Sequence, residues 1–197
     1  MVAGMSQSLR LGVVICSTRP GRQGAIVAKW FEGHARAHVA FATEVVDLAE
    51  VNLPLLDEPE HPRFKRYTKD HTKAWSARVE ALDAFALVTP EYDYAMPASL
   101  LNALQFLASE WAHKAVGFVS YGGVSAGTRS VQMAKQVITS LDMMPIPQAV
   151  SVPFFTQHIV DGVFAPGEAQ DKAARTMLDA LAKWSTALAP MRQRSPA

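Results

Sequence analysis

The sequence predicts a doubly wound α/β domain, five parallel strands in the order 2-1-3-4-5 with helices on both faces of the sheet. Three observations lead there. Short apolar runs alternate along the chain with longer stretches of helical periodicity. The run Ala84-Phe85-Ala86-Leu87-Val88 is apolar on both faces, as a central strand between two helical layers must be. The length, 197 residues, suffices for one domain with a sizeable core and not clearly for two.

The elements follow in order. Residues 1–8 read as a flexible leader: the apolar stretch is short, no basic segment precedes it, and Ser6-Gln7-Ser8 and Arg10 reverse the order of a secretion signal. The first strand covers 10–16 and its helix 24–38. A second strand runs from Thr43 to Asp47, and Leu48–Pro62, with Pro54, Pro59 and Pro62 among acids, reads as a loop. The second helix is expected over Thr68–Leu82 and the third strand over 84–89. Pro97 suits a first helical position for a third helix reaching Trp111. The fourth strand is 115–120, its helix Gly127–Leu141, and a short fifth strand covers 149–152 after the turn around Pro145 and Pro147. A last helix spans Gly167–Leu188, closing a single domain over 9–189, and 190–197 reads as a flexible tail. No internal repeat or linker interrupts this order.

Bulk properties exclude several function classes. With 49% apolar and 19% charged residues and a net charge of +1, nothing in the electrostatics favours nucleic acid or a membrane surface. No apolar run approaches the roughly 20 residues of a spanning helix. The single cysteine, Cys16, excludes an internal disulfide framework and fits a reducing compartment, so a cytoplasmic protein is expected.

In this topology ligands gather at the carboxyl ends of strands one, three and four. The loops expected there are the chemically unusual ones. The first, Ser17-Thr18-Arg19-Pro20-Gly21-Arg22-Gln23-Gly24, joins a buried strand to an amphipathic helix. Free backbone N–H groups and the positive end of the helix converge on such a turn, and hydroxyls and arginines add charge-assisted hydrogen bonds. It carries neither G-x-G-x-x-G nor G-x-x-x-x-G-K-[ST], so dinucleotide and P-loop readings lack their fingerprints. A helix cap by Ser17 or Thr18 accounts for the hydroxyls but not for Arg19 and Arg22 beside them. The second loop, Pro90-Glu91-Tyr92-Asp93-Tyr94-Ala95-Met96, offers stacking surface for a planar heterocycle, or two tyrosines that merely pack on a neighbouring loop. The third, Ser120-Tyr121-Gly122-Gly123, is either a site where backbone meets a ligand edge or an ordinary turn.

Together these residues resemble a known family. Ser17-Thr18-Arg19, Val88-Thr89-Pro90-Glu91-Tyr92-Asp93, Leu101-Asn102-Ala103-Leu104 and Gly122-Gly123 are similar to the motifs of the NADPH-dependent FMN reductases, over about Leu9 to Phe155. The resemblance implies a flavodoxin-like three-layer sandwich, FMN bound non-covalently, NADPH or NADH as co-substrate, and a homodimer or homotetramer. It implies further that Ser17, Thr18, Arg19, Arg22, Gln23, Ala25 and Ile26 hold the FMN phosphate. Pro90, Glu91, Tyr92, Asp93 and Tyr94 would line the ring, and Ser120, Tyr121, Gly122 and Gly123 would meet its pyrimidine edge. Asp93 stands where the family usually has asparagine, Leu101 where lysine and Gln105 where aspartate are common, the last two at positions that often serve the subunit interface. Cys16 stands where glycine is frequent and reads best as a small buried apolar residue.

The implied activity is ping-pong transfer of hydride from nicotinamide to flavin and on to a quinone, an azo compound, a metal oxyanion or a free flavin. That route needs no side-chain acid or base, so no catalytic residue is expected. Two other readings stay open: a flavodoxin-like electron carrier without NAD(P)H oxidase activity, against which the near-neutral charge argues, and a phosphate-binding enzyme of another class. Of six histidines only His34 and His38 share a helical face, and no carboxylate or thiol completes a metal set.

Overall fold

The computed structural model describes residues 8–192. Strands β1 (Leu9–Ile15), β2 (Phe41–Asp47), β3 (Ala84–Pro90), β4 (Ala115–Tyr121) and β5 (Met144–Val152) form one parallel sheet in the order β2-β1-β3-β4-β5, as expected. Helices α1 (Gly24–Ala37), α2 (Leu48–Val51), α3 (Asp70–Glu80), α4 (Ala98–Gln105), α5 (Thr128–Ser140) and α6 (Glu168–Leu188) surround it. Period-two alternation divides the core. Val13, Ile15, Ala86 and Val119 face Val27 and Phe31 of α1 and Met177 and Leu181 of α6. Val14, Leu87 and Phe118 face Val79 of α3, Leu104 of α4 and Ile138 of α5. The register sets Ile15 beside Asp47 and Val88, and Pro90 beside Tyr121, so the strand ends line one edge and their loops lie side by side.

Where elements differ from expectation, a named contact explains it. The stretch after Asp47 begins with a helix, α2, because the Asp47 carboxylate accepts from the Ala49 N–H (2.9 Å) and Asn52 closes the turn in the left-handed region (φ 49°). α3 starts at Asp70 and not Thr68: Lys69 is extended (φ −89°, ψ 138°), and Glu58 receives the N–H groups of Thr68 and Lys69 at 2.9 and 3.0 Å ahead of the helix. α4 stops well before Trp111: the indoles of Trp75 and Trp111 donate to the carbonyls of Ala103 and Leu104 at 3.0 and 3.1 Å, taking acceptors that another helical turn would need. β5 begins at Met144 and contains Pro145 and Pro147, which its edge position and an irregular register opposite Val116 and Phe118 allow.

A small hairpin absent from the sequence reading, β6 (Ile159–Val160) with β7 (Val163–Phe164), follows β5 and is fastened to α1 by an edge contact between Trp30 and Phe164 (5.5 Å). Pro190, Met191 and Arg192, assigned to a loose tail, are held: 189–191 form a turn of 3₁₀-helix and Arg192 donates to Asp83 at 3.2 Å. The remainder of that tail, and residues 1–7 of the leader, lie outside the described residues. His34 and His38 pair with Asp171 and Asp179 of α6 at 3.0 and 3.1 Å, so their shared face serves helix–helix docking.

At the opposite edge of the sheet, Lys114 is buried and donates to the Val79 carbonyl at 2.6 Å, closing the carboxyl end of α3. Burial, then the nearby Arg192 cation, push its ammonium down from 10.5 to about 8 despite Asp83, Glu80 and Glu110. Between those values the folded protein has released a proton that the unfolded chain still holds, so stability should rise with pH by at most about 1.4 kcal/mol per pH unit. The fully buried Cys16 thiol, raised by burial, gives the opposite slope above its ordinary 9.0. Comparing urea midpoints of the parent and Lys114→Met from pH 7.5 to 9.5 isolates the lysine contribution; identical slopes would refute it.

Candidate functional site

The first loop leaves β1 at Cys16, whose N–H donates to the Val88 carbonyl at 3.0 Å, while Ser99 Oγ donates to the Cys16 carbonyl at 2.6 Å. Ser17 turns inward and is fully buried, accepting from Tyr121 Oη at 3.4 Å. Thr18, Arg19 and Pro20 are exposed. Pro20 and Gly21 (φ 72°) occupy the centre of a tight turn closed by Arg22 N–H to Arg19 O at 3.0 Å, where proline followed by a left-handed glycine is favoured. Arg22 folds back onto Asp47 at the end of β2, 2.5 Å away. Its Nε is buried with no hydrogen-bond partner among the described residues.

α1 then starts without a side-chain cap and without an acid in its first turn. Among the described residues no backbone carbonyl takes the N–H of Thr18, Arg19, Gly21, Gln23, Gly24 or Ala25. Gly24 brings this backbone against the core: a Cβ there would lie 2.7 Å from Tyr121 Oη and closer still to Ser17 Oγ. A convergent set of unpaired donors at a helix start, with a cation alongside, suits a phosphate, and the absence of any carboxylate in the first turn fits the same ligand.

The second loop is a two-residue turn. Tyr92 and Ala95 exchange both backbone hydrogen bonds (3.0 and 2.8 Å), and Asp93 and Tyr94 both sit in the left-handed region, at φ 48° and 69°. Side chains rarely adopt that conformation in succession without glycine, so neighbouring contacts must hold it. Those contacts reach the third loop. The Glu91 carboxylate accepts from Arg129 Nε (2.6 Å), the Arg129 N–H (3.1 Å) and Ser125 Oγ (3.0 Å), capping α5 behind its left-handed Gly127. Burial alone would raise the Glu91 carboxyl, but these hydrogen bonds and the Arg129 charge hold it below the usual carboxylate range. The Arg129 guanidinium also lies 3.7 Å from the centroid of the Tyr94 ring.

The three loops expected to cooperate are therefore neighbours, but their side chains divide. Thr18, Arg19, Ala25, Asp93, Tyr94 and Gly123 are exposed, and Arg22, Gln23, Ile26, Glu91, Tyr92 and Gly122 are half-buried. Ser17, Pro90, Ser120 and Tyr121 are buried behind the loops, and Ser120 Oγ has no hydrogen-bond partner among the described residues. Burial raises the Tyr121 phenol, which stays protonated as a donor toward Ser17. Cys16 is fully buried with its thiol raised, which fits an inert core residue. Arg129, Ser125 and Ser99 were not foreseen; each acts through a partner dozens of residues away, a pairing no local motif encodes. Beside Thr18 a cavity of about 380 Å³ opens between α2 and α4, lined by Leu48, Leu53, Leu55, Ser99 and Asn102 among others.

Comparison with known proteins adds three findings. The profile of the NADPH-dependent FMN reductases matches residues 9–157. An NAD(P)H-dependent FMN reductase of Schizosaccharomyces pombe is 33% identical over 186 residues, covering 93% of this chain and 92% of the relative. An NADPH azoreductase of Bacillus sp. (strain OY1-2) is 29% identical over 156 residues, covering 78% and 81%. Among solved structures, the flavoenzyme NAD(P)H:(acceptor) oxidoreductase FerB of Paracoccus denitrificans superposes with a TM-score of 0.71 at 18% identity, covering 91% of this chain and 98% of that one, a likeness of fold.

Proposed function

Because the chain belongs to the NADPH-dependent FMN reductase family, we propose that its turn from Ser17 to Ile26 holds the phosphate of FMN. The loops at Pro90–Tyr94 and Ser120–Gly123 receive the ring system. The chain is an FMN-dependent NAD(P)H oxidoreductase that reduces a small acceptor. FMN bound there would supply the redox chemistry, a site for hydride from NAD(P)H and a source of electrons for the acceptor in a ping-pong cycle.

The observation that carries the site assignment is the start of α1, with its unpaired N–H groups, its uncapped first turn and Arg19 free to approach. Thr18, Arg19 and the amides of Gly21, Gln23, Gly24 and Ala25 bind the phosphate. Ser17 and Tyr121 act from behind, fixing the path of the backbone that does so. No side chain is assigned a proton, because hydride transfer needs positioning and exclusion of water more than acid–base help.

Two further statements belong to the same proposal. A second copy of the chain covers the face made by α2, α4 and the segment around Leu55, which is 82% exposed beside the cavity that opens next to Thr18. Such a contact sets the partner's surface beside the flavin site. The protein works in the cytoplasm, where the one free cysteine stays reduced. Among the described residues no helix is long and apolar enough to cross a membrane.

The test is one preparation measured three ways. The purified protein is expected to show flavin absorbance, to oxidise NADPH or NADH steadily with a quinone, giving parallel double-reciprocal lines, and to scatter light with the mass of two or four chains. Colourless protein that takes up no FMN would overturn the cofactor assignment. Flavin-loaded protein that consumes no nicotinamide would favour an electron carrier, and a single-chain mass would remove the second copy.

A further inference from the structure

We propose that Arg129 is a positioning residue for acceptor binding, holding the Tyr94 ring as a fixed wall beside the flavin; this rests on the flavin reading above. Tyr94 is 68% exposed, yet one face of its ring is covered by the Arg129 guanidinium at 3.7 Å. The guanidinium is itself fixed, because Glu91 grips its Nε and Nη2 at 2.6 and 2.5 Å and takes the Arg129 N–H as well. That carboxylate is only 7% exposed and is anchored further by Ser125. The rigid start of α5 is thus continued through Glu91 and Arg129 to an aromatic ring that would otherwise swing freely in water.

The backbone beneath the ring points to the same role. Asp93 and Tyr94 are held in the left-handed region without glycine inside the Tyr92–Ala95 backbone pair, and Glu91 ties the start of that loop to α5. A helix cap alone needs the carboxylate and the Arg129 N–H; it does not need the guanidinium set over a ring. With one face of Tyr94 occupied, the opposite face is presented in a constant orientation at the carboxyl edge of β3, between the phosphate loop and the Gly122-Gly123 loop. A flat, rigid wall of this kind favours planar acceptors, whose binding gains from a surface ordered in advance. It does little for a small, non-planar acceptor.

The test uses the flavin-loaded full-length protein with a planar quinone and, as the non-planar acceptor, ferricyanide. Arg129→Ala is expected to retain FMN and to raise KM for the quinone about fivefold, more than it lowers kcat and with little change toward ferricyanide. Arg129→Lys keeps a cation for Glu91 but no planar group to lie on the ring. It should hold the thermal midpoint near the parent's while leaving the quinone KM raised, and it carries the comparison if the alanine variant fails to fold. In a Tyr94→Ala background, Arg129→Ala should add nothing. A parental KM in the Arg129 variants, equal losses toward both acceptors, or additive effects with Tyr94→Ala would each overturn the assignment. Failure of the parent itself to take up FMN would instead defeat the flavin reading, before any variant is compared.

Discussion

Gly24→Ala should strip FMN from the protein while leaving the fold intact. The added Cβ would meet Tyr121 Oη at 2.7 Å and crowd Ser17 Oγ more closely still, and both oxygens belong to buried residues whose contact links the loop after β1 to the end of β4. Either α1 shifts outward or the Ser17–Tyr121 contact parts; both outcomes move the amides proposed to receive the phosphate. Overpacking of this kind costs about 1–3 kcal/mol of stability. A misplaced set of amides should weaken FMN binding at least about tenfold, the equivalent of roughly 1.4 kcal/mol. Gly33 supplies the control, since nothing lies within 4 Å of a Cβ there and it sits exposed in the same helix. Gly33→Ala should gain up to about 1 kcal/mol from helix propensity and keep its flavin. Urea unfolding of the FMN-free proteins, with FMN titrated by fluorescence quenching, separates the two effects. Parental FMN affinity in Gly24→Ala would reject the phosphate role of this helix start.

The Gly24 contact also marks where sequence reading stops. Strand order, the two helical layers and the three ligand-side loops were legible because each rests on local periodicity and on one topological rule. What a loop residue does once the chain has folded was not. Arg22 stood in the motif as a phosphate ligand, yet its partner, Asp47, arrives from the end of the neighbouring strand. Glu91 stood in the ring-lining loop, yet its oxygens are turned to α5. Both assignments depend on which strand ends become neighbours, information that the register carries and the local sequence does not. The helix at Leu48 is a different case. Asp47 and Asn52 are ordinary start and stop residues for a single turn, a signal present in the sequence and masked by the prolines that follow.

Arg19 and Arg22, three residues apart in one turn, should give opposite phenotypes. Arg22 and Asp47 are 24% and 10% exposed, so truncating the arginine leaves a poorly solvated carboxylate without its cation. Removing one member of a fully buried pair costs roughly 3–5 kcal/mol and an exposed pair little, so about 2 kcal/mol is expected for Arg22→Ala. Asp47 also caps α2, and the loss should spread to the cavity beside Thr18. FMN binding falls as a consequence of the disordered turn. Arg19 is exposed, and its removal should change stability by no more than about 0.5 kcal/mol. It should nonetheless weaken FMN about tenfold by deleting a charge-assisted contact to phosphate. Riboflavin, which lacks the phosphate, sharpens the distinction: Arg19→Ala should bind it as the parent does, whereas Arg22→Ala should bind both flavins poorly. Equal loss of riboflavin and FMN in Arg19→Ala would mean that its side chain shapes the loop and does not read the phosphate. The double variant Arg22→Ala/Asp47→Asn should recover part of the stability lost in Arg22→Ala, because no charge is then left unpaired while the side-chain oxygen still caps α2. Failure to recover any would place the effect of Arg22 in the turn itself and not in the ion pair.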